Sequence, residues 1–195
     1  MKKEVISTTS APAAVGPYYN GLCDFKKGTG SKETVYKLEL LMRQAGISTA
    51  DRKVVSIATA KSEATNGPAV AIELEDGQVA TGKTSALLGA SAAALLNALK
   101  TLAGIDHDYH LVAPEAIEPI QTLKIDYLGS RNPRLHTDEI LIALSISAAN
   151  DDKARLALEQ LPKLKGCEVH STVMLSSVDE RIFKKLGTHL TCSPQ

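Results

Sequence analysis

The residues best equipped for chemistry gather in one short stretch, "LGSRNPRLHTDE" at positions 128–139. It holds Ser130, Arg131, Asn132, Arg134, His136, Asp138 and Glu139. Two guanidiniums ahead of a helix start can grip a carboxylate or phosphate bidentately, and the backbone N–H groups of a helix N-terminus favour the same charge. The competing reading is a solvated loop whose arginines pair with Asp138 and Glu139. A second histidine, His170, lies within "CEVHSTVML" at positions 167–175. With His136 and Glu139 it would complete a two-histidine, one-carboxylate metal set. The plainer reading of His170 is a hydrogen-bonded core residue. Spacing alone does not bring these three together, so no metal is assigned and no cofactor is named.

Lys83 stands in "GQVATGKT", positions 77–84, which matches the phosphate-loop pattern G-x-x-x-x-G-K-[ST] letter for letter. A phosphate loop follows a buried strand and opens directly into a helix, so that backbone N–H groups converge on the phosphates. Here Gln78, Val79 and Ala80 alternate like a strand, and Gly89 would interrupt a helix begun at Thr84. Asp76-Gly77 between two strand-like runs is instead a hairpin signal, of type I′ if both central residues take φ > 0. The hairpin is the preferred reading. Lys83 then ends a strand and joins Arg131, Asn132, Arg134, His136 and His170 as a candidate ligand-binding set, because α/β sheets take ligands beyond their strand ends.

The elements that would position this set follow from periodicity and punctuation. Ser31 caps a helix with Val35, Leu38, Leu41 and Met42 at helical spacing, closed by Gly46. "STAD", positions 48–51, opens a second helix as a capping box and runs to about Thr65. "PAVAIEL" and "QVATG" are strands, and "ASAAALLNALKTLAG" is a small-residue helix suited to close packing on a sheet. "YHLVAP" and "LKIDY" read as strands. A buried helix within "DEILIALSISAAN" and a helix capped by Asn150 follow. A strand, a helix over "SVDERIFKKLG" and a strand "THLTC" complete a βαβ unit, hence parallel pairing. The fold expected is α/β: a layered mixed sheet with helices packed on it, two helices before it and the βαβ unit at its C-terminal end. Residues 1–30, rich in Pro, Gly and small residues, are expected to form a mobile arm, dispensable for folding through residue 18. Residues 31–195 form a single domain, a helical pair over 31–66 and an α/β core over 68–193.

Composition narrows the partners. Twenty-two basic residues balance 22 acidic ones, which leaves no net field to recruit nucleic acid or an anionic membrane. With no Trp and 4% aromatic residues, stacking platforms for single strands are missing. Apolar runs are too short to span a bilayer, and the opening lysines lack the apolar run of a signal peptide. Cys23, Cys167 and Cys192 form no C-x-x-C pair and read as small buried hydrophobes in a reducing compartment. A cytoplasmic location is therefore expected.

From about Tyr19 to Pro194 the chain resembles the C-terminal part of a bacterial family, domain-of-unknown-function family 1846. The likeness rests on "KLELLMRQAGISTADRKV", "PAVAIELEDGQVATGKTS", "AAALLNALK", "IEPIQTLKIDYLGSRNPRLHTDEILIAL", "LPKLKGCEVHST" and "FKKLG". It implies a layered α/β architecture, full-length members much longer than this chain, and no assigned reaction. The family's position equivalent to Thr84 is not confined to Ser or Thr, which speaks further against a phosphate loop. The first eighteen residues are instead similar to the start of the reactive-intermediate imine deaminases, with Tyr18 at a substrate-pocket position. That family's arginine and glutamate motifs are missing here. The expectation is a cytosolic module that binds an anionic small molecule, a nucleotide or a phosphate or carboxylate metabolite, as the C-terminal part of a larger enzyme. It would act as a homo-oligomer or with the N-terminal region that longer members carry. The alternatives are a structural or oligomerisation module, with the alanine-rich helix and "EILIALSI" packed on a partner subunit, and a 2-iminobutanoate/2-iminopropanoate deaminase.

Overall fold

The computed structural model describes residues 11–195, and its centre is a four-stranded mixed sheet in the order β2-β1-β3-β4. Strand β1 (Ala69–Glu73) pairs antiparallel with β2 (Val79–Lys83) and with β3 (Glu168–Ser171). β3 pairs in parallel with β4 (His189–Cys192), as a βαβ unit requires. Alternation along the strands splits the side chains between two faces. Val70, Ile72 and Val169 enter one core with Leu95 and Leu99 of α4 (Ala90–Ala103), Leu144 of α6 (Thr137–Ser147) and Phe183 of α8 (Ser177–Lys185). Ala71 faces the other way, onto Val54 and Ala58 of α3 (Lys53–Thr65). Helices α5 (Pro114–Thr122) and α7 (Asp152–Leu158) complete the first layer.

The β1–β2 hairpin is present, but its turn is not type I′. Gly77 has φ +82° and Asp76 does not have positive φ. The Gly77 N–H donates to the Leu74 carbonyl (2.9 Å) and the Leu74 N–H to Gln78 (2.8 Å). This is a type I turn followed by a left-handed glycine, the usual longer hairpin loop. Helix α4 begins at Ala90, well after Thr84, and Gly82 lies against it: a Cβ there would meet the backbones of Ala90, Ala93 and Ala94. The second glycine of the phosphate-loop pattern thus serves helix–strand contact.

Helix α2 (Lys32–Ala45) is as expected. The Ser31 hydroxyl accepts from the Thr34 N–H, and Gly46 at φ +68° ends the helix in a Schellman arrangement. Other expectations are corrected. Residues 11–27, expected in an arm, are helix α1 (Ala11–Lys27), with Val15, Tyr19 and Cys23 buried at i, i+4 and i+8. Packing on α2 and β4 overrides the Pro and Gly propensities. Deleting residues 1–18 would remove the buried Val15, so a loss of stability is expected in place of the neutral change the sequence suggested; residues 1–10 lie outside the described residues. The helix expected from Ser48 is broken: a single 3-10 turn, Thr49–Asp51, gives way at Arg52 (ψ 100°) before α3 begins. "YHLVAP" forms no strand, and "LKIDY" is a π-helical turn that prolongs α5. The cap of α7 is Asp151, whose carboxylate accepts from the N–H groups of Lys153 and Ala154, rather than Asn150.

Among the described residues no helix is long and apolar enough to cross a membrane. Cys23, Cys167 and Cys192 are free and buried. Burial pushes the Cys192 thiol up to about 12 and raises the other two, which leaves them inert.

Candidate functional site

The loop of residues 129–136 is built by its own side chains and lies against residues 84–89. Ser130 accepts from the Asn132 N–H, and the Asn132 side-chain oxygen accepts from the Arg134 N–H, so Asn132 shapes the loop. Leu135, fully buried, bridges to Leu88; its N–H donates to Leu87 and its carbonyl accepts from Gly89. Arg134 Nε donates to the Ser85 carbonyl at 2.6 Å. The loops bearing Lys83 and bearing Arg131, Arg134 and His136 are therefore side by side. Lys83, Arg131 and Arg134 are exposed and have no ion-pair partner among the described residues. The expected pairing of the arginines with Asp138 and Glu139 does not occur: Glu139 is held by Lys124 (2.8 Å) and by the His136 N–H (2.8 Å).

His136 caps α6 and meets the first turn of α8. Its Nδ1 lies 3.0 Å from Asp179 Oδ2, and the other carboxylate oxygen accepts from the Thr137 N–H (2.9 Å) and hydroxyl (2.8 Å). Ser176, the cap of α8, donates to Asp179 Oδ2 at 2.9 Å. Burial pushes the Asp179 carboxyl up, but the hydrogen bonds from Thr137, His136 and Ser176 outweigh it and hold the group below the usual carboxylate range. An ionised carboxylate only accepts, so Nδ1 carries the proton that faces Asp179, and Nε2 is the ring nitrogen turned away from it. Nε2 has no hydrogen bond among the described residues, on a side chain 30% exposed. At the α6 N-terminus the N–H groups of His136, Thr137 and Glu139 are already taken by Glu139, Asp179 and Asp138, so an anion would be held mainly by side chains.

His170 is elsewhere. It pairs with Ala71 and packs, ring tilted at 57°, against Tyr19 of α1 with centroids 4.7 Å apart, on the sheet face opposite α6 and α8. His136 and His170 do not converge, and no group of three or more His, Cys, Asp or Glu side chains able to hold a metal occurs among the described residues. Around His170 is a buried network that sequence reading missed. Arg52, 2% exposed, donates to Glu168 through Nε (2.9 Å) and Nη2 (2.6 Å), to the carbonyls of Val169 and His189, and to Thr191. Thr191 contacts His170 Nδ1 at 2.8 Å, and Ser193 contacts Nε2 at 3.1 Å. Burial, reinforced by the Arg52 charge, drives the His170 pKa down to about 3.

Comparison with known proteins places the chain in a family. "Domain of unknown function DUF1846, C-terminal" matches residues 50–195. The chain belongs to the DUF1846 family. It is 54% identical to the UPF0371 protein cu0538 of Corynebacterium urealyticum over 91% of this chain and 36% of that relative. UPF0371 proteins of Corynebacterium aurimucosum and Streptococcus thermophilus are 52% and 51% identical over 98% of this chain, covering 38% and 39% of their own lengths. The chain thus spans under two-fifths of these relatives. Coverage of 98% takes in most of residues 1–18, so the likeness to this family extends into the segment that resembled imine deaminases.

The residues missed were Asp179, Lys124 and Arg52. Ser176 and Asp179 in "SSVDE" carry capping-box spacing, a signal that could have drawn attention to Asp179. Lys124 is buried because the π turn directs it inward to Glu139 and the Arg134 carbonyl (2.5 Å). No local pattern marks it.

Proposed function

We propose that this DUF1846 segment binds an anionic small molecule, a phosphate or carboxylate metabolite, at the paired loops, as the C-terminal part of a larger enzyme. The observation that carries the reading is the His136–Asp179 pair, which fixes the His136 ring at the end of the loop that also carries the exposed Arg134. Arg134 and Arg131 would supply charge, with Lys83 at the neighbouring strand end. His136 would accept or donate a proton at Nε2 while Asp179 keeps the ring in one tautomer. His170 takes no part. The test is an NMR titration of the chain with inorganic phosphate, following the His136 ring nitrogens. Saturable shifts at His136 are expected, weakened about tenfold or more by Arg134→Ala, since a charge-assisted contact is worth about 1.5–3 kcal/mol. Unchanged His136 resonances at high phosphate would defeat the reading.

A second reading, a docking module, is favoured by a specific observation. The π turn is inside out: Leu123, Tyr127 and Leu128 are exposed, as are Ile142 and Ile146 on α6. The occupant would be the remainder of the longer protein that the relatives possess, which covers more than three-fifths of their length. The alanine-rich α4 is buried within the domain and is unavailable to such a partner. Tyr127→Lys with Ile146→Lys should loosen that docking in a full-length relative while leaving the isolated chain folded.

A further inference from the structure

A cleft of about 210 Å³ lies between α4 and residues 109–117. Its walls include Leu87, Leu96, Leu111, Val112 and Ile117, and Lys100 stands among its lining groups. An apolar cavity of about 150 Å³ is enough for benzene, so this cleft has room for one aromatic ring or a short alkyl chain. Lys100 Nζ donates to the carbonyls of His107 (2.6 Å) and Tyr109 (3.3 Å) and has no carboxylate partner among the described residues. An ammonium has three N–H donors, so one has no acceptor among the described residues. Burial lowers the Lys100 pKa by more than the fields of Asp108 and Asp106 raise it. Neither carboxylate forms an ion pair with Nζ, and the other polar groups nearby are already engaged. The Asn97 amide donates to the Thr81 carbonyl (2.8 Å), and the Tyr109 hydroxyl donates to Asp151 (2.8 Å).

We infer that this cleft binds a small monocarboxylic acid with an apolar body, its carboxylate on Lys100 and its ring or alkyl chain against Leu96, Leu111 and Ile117. A single ammonium beside apolar walls suits a monoanion. Phosphate dianions, with more charge to desolvate and no apolar part, suit it poorly. The cleft adjoins the arginine loop without coinciding with it: Ser85, Leu87 and Leu88 line its edge, and Arg134 holds the Ser85 carbonyl there.

The experiment titrates the intact chain with benzoate, benzyl alcohol and inorganic phosphate, following the methyl resonances of Leu111, Val112 and Ile117. Benzoate should bind saturably and at least tenfold more tightly than benzyl alcohol, and phosphate should leave these methyls unmoved. Lys100→Met should weaken benzoate at least tenfold and leave benzyl alcohol unchanged. Ala93→Leu, which fills the cleft from the α4 surface, should weaken both. If Lys100→Met does not fold, the benzoate preference and the Ala93→Leu loss decide the matter in a native background. Equal affinity for benzoate and benzyl alcohol, or methyl shifts caused by phosphate, overturns the inference. Because phosphate reports on the arginine loop and benzoate on this cleft, either proposal can fail alone.

Discussion

His136 and His170 occupy opposite faces of one sheet, and their surroundings differ in whether any hydrogen-bonding capacity is left over. On the α1–α3 face, Arg52 makes five hydrogen bonds and both nitrogens of His170 are engaged by hydroxyls, with no exposure at the ring. On the α6–α8 face, Asp179 is as fully engaged, but the groups it orients end in an Nε2 with no hydrogen bond among the described residues, and Arg134 uses only Nε. A closed network can only stabilise the fold; an open one has atoms to offer a ligand. The comparison separates two histidines that look alike in the sequence.

The largest effect should come from the closed network. Arg52→Ala leaves Glu168 and the carbonyls of Val169 and His189 without their donor, and breaking a buried pair costs about 3–5 kcal/mol. Chemical denaturation measures this, and a loss under about 1 kcal/mol would mean that the network is not the structural element described. Next comes pH. His170 stays neutral in the folded chain down to about pH 3, whereas the unfolded chain protonates it near 6.5. Stability should fall as pH drops from about 6.5 towards 3, by about 1.4 kcal/mol per unit from this group. His170→Gln should flatten that slope. An unchanged slope would show that the ring protonates in place.

The open network should give smaller effects on stability. Asp179→Asn keeps one accepting oxygen but replaces the other, which takes two of the four hydrogen bonds, by an NH2 donor, and should cost about 1–3 kcal/mol. Because the folded carboxyl titrates below the ordinary carboxylate range, its contribution is present above that range and is lost as pH falls through the folded value. The His136 ring should also lose its fixed tautomer, which nitrogen chemical shifts report. Least of all, Arg131→Ala and Arg134→Ala should change stability by about 0.5 kcal/mol or less, as exposed residues do, while phosphate affinity drops. Large destabilisation there would reassign the loop to the fold.

Some of this was legible in the sequence. Ser31 and Gly46, the Asp-Gly turn and the terminal strand–helix–strand run set local geometry through side-chain caps and positive φ, which need no distant partner. The polar loop before α6 was legible as well, because a cluster of Ser, Arg, Asn and His between apolar elements stands out in a linear reading. Tertiary structure decided the rest. Helix α1 exists through burial of Val15, Tyr19 and Cys23, despite its own Pro and Gly. Lys124 and Arg52 are interior because Glu139 and Glu168, 15 and 116 positions away, meet them. Which histidine stays open and which is sealed depends on which sheet face each occupies and on Asp179, 43 residues beyond His136. Burial and charge pairing act through space, and no local sequence period encodes a partner brought in from so far along the chain.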